Sequence, residues 1–161
     1  MKSYGAEIIY SDGSKGSNGA IAKAKEVKKE NPDWILLYQY GNSANVDAHY
    51  KTTGPEILKD IPEIDVFAAG LGTSGTLMGV SKFFKENKPE VKIIAIEPPV
   101  GETITALRSL DEGFIPDIFV DTLIDRRIIV RSKESIEVTR RLLDECGIFV
   151  GVSTGAVVSG A

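Results

Sequence analysis

Gly70-Leu71-Gly72-Thr73-Ser74-Gly75-Thr76 is the segment best suited to chemistry in this sequence, because it joins an apolar run ending at Ala69 to a stretch of helical periodicity beginning near Ser74. Closely spaced glycines let the backbone curl so that several N–H groups converge. The first turn of the following helix adds unpaired donors and the positive end of its dipole. Thr73, Ser74 and Thr76 add hydroxyl donors. Such a cradle suits a small dianion such as a terminal phosphate. Two other readings share these residues. One is a tight strand-to-helix turn that needs glycine only for positive φ. The other is a dinucleotide site and hence a nicotinamide-dependent oxidoreductase half-domain, since the segment matches G-x-G-x-x-G and Glu97 stands 22 residues beyond Gly75, where a ribose-binding acid would lie. Against it, a pyrophosphate bridge is usually held by bare backbone, and His49 is the only histidine available for a substrate half-site. A Walker-type loop is excluded because no lysine follows the last glycine.

The surrounding elements must position this turn. Ala6–Tyr10, Trp34–Gln39, Asp65–Ala69, Lys92–Glu97, Arg127–Arg131 and Phe149–Val152 read as strands, rich in β-branched and aromatic residues between turn formers. IDVFAA, VKIIAI and RRIIV are near-continuous apolar runs, the pattern of parallel strands buried on both faces. Helices are predicted over Asn18–Glu30, with Ile21, Ala24 and Val27 on one side, and over Ser74–Glu86, with Leu77, Val80 and Phe84. A third spans Ser132–Cys146, with Ile136, Leu143 and Cys146 on one face and Gly147 as its stop. Pro55 belongs in the first turn of a helix starting near Thr52. Strand and helix alternating at about thirty residues predict an α/β fold, an open, mostly parallel twisted sheet with flanking helices. Pro98–Gly101 and Ser11–Gly19 are expected as loops at its carboxyl edge, where ligands bind in such sheets.

Composition narrows the function classes. The 161 residues are 42% hydrophobic, with 19 basic and 23 acidic side chains. That suits one sizeable core, and a net charge of −4 gives no general attraction to nucleic acid or an anionic membrane. One cysteine precludes an internal disulfide, and one cysteine with one histidine cannot assemble a Cys/His zinc cluster. No metal site is expected. Neither a secretory leader nor an apolar run of membrane-spanning length is legible, and a cytoplasmic globular protein is the expectation.

Five blocks go beyond a turn type. Gly72-Thr-Ser-Gly-Thr-Leu-Met-Gly79, Gln39-Tyr-Gly-Asn-Ser-Ala-Asn45, Thr52-Thr-Gly-Pro-Glu-Ile57, Asp111-Glu-Gly-Phe-Ile-Pro116 and Gly151-Val-Ser-Thr-Gly-Ala156 resemble, in order and spacing, the blocks of the cysteine synthase family, pyridoxal-phosphate enzymes of fold type II. Leu77-Met78, Leu107–Phe114 and Ser153-Thr154 look most like its B-type branch, which includes O-phosphoserine sulfhydrylases. The resemblance implies formation of L-cysteine from an activated serine, O-phosphoserine or O-acetylserine, and a sulfur donor. It implies that Gly72, Thr73, Ser74, Gly75 and Thr76 hold the phosphate of pyridoxal 5′-phosphate, that Ser153 hydrogen-bonds the pyridine nitrogen, and that Gln39 meets the substrate carboxylate. Arg108 matches a position that meets the substrate phosphate in phosphoserine-using members, a task suited to a bidentate guanidinium. The plainer readings are that Ser153 caps a helix beginning at Thr154, Arg108 is a solvated charge and Gln39 an edge polar residue. His49 is expected as a structural hydrogen-bonding group and Cys146 as core.

Chemistry with this cofactor requires a lysine bonded to its aldehyde. In the family that lysine lies in a Ser-x-Lys-Asp-Arg type segment, and none of the thirteen lysines here has that context. The chain therefore reads as a central fragment of a family member, inactive alone, truncated as a new helix begins in GVSTGAVVSGA. Residues 1–42 would be the C-terminal part of the small domain and 43–161 the larger, cofactor-binding domain. Family members are commonly homodimers. A non-catalytic relic that binds a partner is the alternative.

Overall fold

Lys92–Glu97 (β2) is the middle strand of a three-stranded parallel sheet, between Val66–Gly70 (β1) and Arg126–Ile129 (β3). The computed structural model describes residues 1–161, in two compact units, Met1–Tyr38 and Gln39–Ala161, and the sheet belongs to the second. Alternation along β2 sorts the core into two layers. Ile93 and Ala95 pack with Leu77, Val80 and Phe84 of the helix Gly75–Asn87 (α4). Ile94 and Ile96 point the other way, towards Ala156 and Val157 of the helix Val152–Gly160 (α6). The helix Ser132–Cys146 (α5) packs on α6, where Ser135 Oγ donates to the Val152 carbonyl at 2.5 Å. The expected α/β class, with parallel strands and flanking helices, is therefore present.

Only β2 has the burial that its apolar run predicts. β1 and β3 are the two edges of this sheet, and Val66 and Ile129 stand almost half exposed. The predicted strand Phe149–Val152 does not form. Phe149 is exposed, and the chain passes instead into α6, whose N-cap is Gly151. The α5 stripe of Ile136, Leu143 and Cys146 is exposed too, so Cys146 is not core. α5 makes its buried contact through Ser135 and Thr139, which approach Gly155 of α6 so closely that a Cβ there would lie 2.1 Å from Thr139 Oγ1. Gly147 does end α5, with φ 68°.

The unit Met1–Tyr38 contains the helix Gly16–Glu30 (α1) and no strand. Ile21, Ala24 and Val27 are its half-buried side, as periodicity predicts. Ala6–Tyr10 and Trp34–Gln39 have strand-like composition but enter no ladder. Ile9, Tyr10, Trp34, Ile35 and Leu37 remain exposed. Composition expresses a preference for a pleated surface, and a strand also needs a partner to bond. Ser11–Gly19 is only partly loop, since it includes a short 3-10 turn and the start of α1.

Two helices precede the sheet, Ser43–Lys51 (α2) and Thr53–Asp60 (α3). The second carries Pro55 in its first turn as expected. The first was not predicted, although Asn42 gives a cap signal and accepts the Ala44 N–H at 3.0 Å.

Asp125 fastens the entry to β2. Its carboxylate accepts the Lys85 ammonium and the Ile93 N–H, each at 2.8 Å. The Lys85 hydrogen bond, then that of Ile93, holds its pKa below the ordinary carboxylate value, against burial. A folded-state pKa below the unfolded one contributes stability that is complete above about pH 4 and is lost as pH falls through the depressed value. Asp125→Asn should lower stability at pH 7 and flatten the acid limb, measured as urea midpoints at pH 7 and pH 3. An acid loss equal to that of the unmodified protein would remove this role.

Candidate active site

The turn between β1 and α4 brings together most of the residues singled out by sequence. Ser74 precedes α4 with φ 75° and ψ −1°, the left-handed region that side chains rarely adopt. Gly70, Gly72 and Gly75 do not have positive φ, which removes the reading of a turn needing glycine only for that conformation. Close approach explains Gly72 and Gly75 instead. A Cβ at Gly72 would lie 2.7 Å from the Ala106 carbonyl oxygen, and one at Gly75 would lie 2.0 Å from Asn45 Oδ1. The backbone is thus pressed between two neighbours, with the first N–H groups of α4 free of intrahelical partners.

Each hydroxyl in the turn has a defined setting. Thr73 Oγ1 accepts Asn45 Nδ2 at 3.2 Å and the Gly75 N–H at 3.4 Å, so its own proton is left to donate elsewhere. Thr76 Oγ1 lies 3.0 Å from His49 Nε2, and His49 Nδ1 lies 2.9 Å from Thr53 Oγ1. In the Nε2–H tautomer, with Thr53 donating to Nδ1, the Thr76 proton is also left for an anion. Ser74 Oγ is shut away from solvent without a hydrogen-bond partner. Such a group costs about 1–3 kcal/mol, which an acceptor entering the turn would offset. These donors, at the positive end of a thirteen-residue helix, fit a phosphate.

The flanking blocks converge here. Asn45 Nδ2 also donates to the Gln39 carbonyl at 2.9 Å, tying the Gln39–Asn45 block to this turn, while Gln39 itself is exposed. Arg108 is half-buried, its guanidinium carbon 5.0 Å from the Tyr40 ring and 4.4 Å from that of Phe114. The Arg108 N–H donates to the Leu71 carbonyl at 2.9 Å. Arg108 therefore lies against a pair of rings that meet edge to face, unlike an ordinary solvated charge. Ser153 lies half-buried in the first turn of α6, whose Val157 approaches Gly70 at the end of β1. It does not cap a helix starting at Thr154, since α6 starts at Val152 and Gly151 occupies the cap position.

Glu97 corrects the dinucleotide reading. It is fully buried, accepts the Leu110 N–H at 2.8 Å and pairs with Arg127 Nε at 2.5 Å. A ribose diol would have to displace a buried ion pair. Sequence reading did not find Asn45, Tyr40 or Arg127 as parts of this assembly. Their signal lay in tertiary contacts, although Asn45 and Tyr40 fall within a block already singled out.

Residues 1–161 match the family described as pyridoxal-phosphate dependent enzyme. The chain is 42% identical to cysteine synthase A of Escherichia coli (strain K12), a match covering all of this chain and 55% of that protein. A cysteine synthase structure from Entamoeba histolytica superposes with a TM-score of 0.87 at 36% identity, over 98% of this chain and 49% of the other. A hydrogen sulfide-producing enzyme from Fusobacterium nucleatum gives 0.88 at 36%, over 99% and 52%. The chain spans about half the length of the curated relatives it matches. With its parallel sheet, and with the family match running over all of residues 1–161, the chain belongs to the pyridoxal-phosphate dependent enzyme family.

Proposed function

We propose that these residues are part of the site of an enzyme that forms L-cysteine by β-replacement, in which the substituent on an activated serine leaves and a sulfur nucleophile takes its place. The observation carrying this reading is the buried, unpartnered Ser74 hydroxyl in a turn whose Thr73 hydroxyl accepts two hydrogen bonds and keeps its own proton to donate. Bound pyridoxal phosphate would supply an electron-accepting ring that stabilises charge at the substrate α-carbon. Gly72, Thr73, Ser74, Gly75 and Thr76 hold its phosphate. Ser153 offers the ring nitrogen a neutral hydroxyl, and the exposed Gln39 carboxamide receives the substrate carboxylate. Residues 1–42 complete the small domain and 43–161 supply the larger one, in a homodimer. The family match and the cysteine synthases among the relatives support this reading.

The finer reading is of O-phosphoserine as substrate, with Arg108 meeting its phosphate. Its support is a guanidinium already oriented by Tyr40 and Phe114, which reduces the entropy lost on binding. In a full-length enzyme carrying these residues, Arg108→Ala should lower kcat/KM for O-phosphoserine by roughly 10- to 100-fold, the worth of a charge-assisted hydrogen bond. O-Acetylserine should be little affected. Equal losses on both substrates would remove the role.

The 161-residue chain is inactive alone in this proposal, because none of its lysines stands in the Ser-x-Lys-Asp-Arg context. Mixing it with pyridoxal phosphate should produce no absorbance band from a lysine bonded to the aldehyde. Such a band, if it persisted through mutation of the surface lysines, would contradict this.

A further inference from the structure

Glu97 is the fully buried carboxylate that the proposed chemistry does not use, yet its bonds hold, directly or through Arg127, residues 110 and 111 just beyond Arg108. One oxygen accepts the Leu110 N–H at 2.8 Å, and the other takes Arg127 Nε at 2.5 Å. Arg127 then reaches Asp111 through its second nitrogen at 3.0 Å. Ser109, itself buried, caps the short turn that begins at Leu110 by accepting the Asp111 N–H at 3.3 Å. On the other side of Arg108, Ala106 has φ 73°, and the Arg108 N–H is bonded to Leu71. The residue is therefore suspended between two fixed points. One is the backbone of the phosphate turn, and the other is the Glu97–Arg127 pair at the end of β2 and the start of β3.

We infer that Glu97 is a positioning residue, which with Arg127 and Asp111 clamps the segment 108–112 so that the Arg108 guanidinium stays against the Tyr40 and Phe114 rings, aimed at the substrate's leaving group. The inference rests on the proposed role of Arg108. The carboxylate acts through the loop and does not touch substrate. Its charge is required because a neutral group in its place would bind the guanidinium less tightly. The clamp leaves the hydroxyls of the phosphate turn untouched, so it governs which activated serine is preferred and not whether cofactor binds.

The test pairs Glu97→Gln with Asp111→Asn, the latter an exposed position whose change preserves the buried pair. In the 161-residue chain, Glu97→Gln should speed hydrogen exchange at the Leu110 amide by about tenfold. In a full-length enzyme carrying these residues, it should raise KM for O-phosphoserine about fivefold more than KM for O-acetylserine. Affinity for pyridoxal phosphate should stay within about twofold. Asp111→Asn should act in the same direction and less strongly, and it decides the matter if Glu97→Gln does not fold. If Arg108→Ala shifts the substrate preference while both clamp variants leave it unchanged, the positioning role is overturned and the Arg108 reading stands. If no variant shifts the preference, both fail. Faster exchange with equal KM changes for the two substrates would show a purely structural pair and overturn the inference.

Discussion

Gly75→Ala should lower affinity for pyridoxal phosphate by at least about tenfold, equivalent to about 1.4 kcal/mol. The new Cβ would lie 2.0 Å from Asn45 Oδ1 and 2.5 Å from Asn45 Nδ2, so the amide must move. That amide cannot move freely, because it bridges the Gln39 carbonyl and Thr73 Oγ1. Its displacement releases Thr73 from the orientation that leaves its proton for a phosphate, and shifts the first N–H groups of α4. Overpacking of this kind also costs about 1–3 kcal/mol of stability. The double change Gly75→Ala with Asn45→Gly removes the clash but not the loss of the Thr73 contact. It should recover only part of the stability, because it also deletes the two Asn45 hydrogen bonds and puts a glycine inside α2, and none of the affinity. Titration of the cofactor and thermal unfolding, run on the same samples, check both. Unchanged affinity in Gly75→Ala would mean that the turn does not hold the cofactor phosphate.

Arg127→Met should be the most destabilising of the changes considered, at about 3 kcal/mol, because it leaves the buried Glu97 carboxylate without its counter-ion. Glu97 is fully buried while the Arg127 side chain is 33% exposed, which places the effect at the low end of the range for buried pairs. The Glu97 hydrogen bond, then that to Asp111, holds Arg127 above its ordinary pKa, while burial acts the other way. The cost therefore comes from the carboxylate left behind and not from any neutralisation of the guanidinium. The double variant Arg127→Met with Glu97→Gln should recover most of the loss, since two neutral groups carry no unpaired buried charge. Urea unfolding of the single and double variants measures this. A single variant as stable as the unmodified protein would show that the pair contributes nothing to the fold.

Much of this was legible in the residues, for physical reasons that differ between segments. β2 was plain because an unbroken apolar run has one stable setting, between two covered faces. α4 and α5 announced themselves through periodicity and, for α5, through Gly147. The edges were not legible, since the apolar content of β1 and β3 says nothing of which neighbours a given chain supplies. The same gap misplaced Ala6–Tyr10, Trp34–Gln39 and Phe149–Val152. The turn at 70–76 is legible as a turn, but the left-handed conformation that a plain reading would give its glycines is adopted by Ser74. What makes them necessary is Asn45 and the Ala106 carbonyl, brought close only by folding. Glu97 misled in a similar way, because its spacing from the glycines is compatible with a ribose site while its burial against Arg127 is not.

In the proposed site, amides and hydroxyls at the entrance to α4 bind the phosphate of pyridoxal phosphate. A crystal structure of the protein with that cofactor tests it most directly. Phosphate oxygens should lie within about 2.7–3.2 Å of the backbone N–H groups and hydroxyls of residues 73–76, with Ser74 Oγ among the donors. A phosphate bound elsewhere on the chain, with the Ser74 hydroxyl still unpartnered, would contradict it.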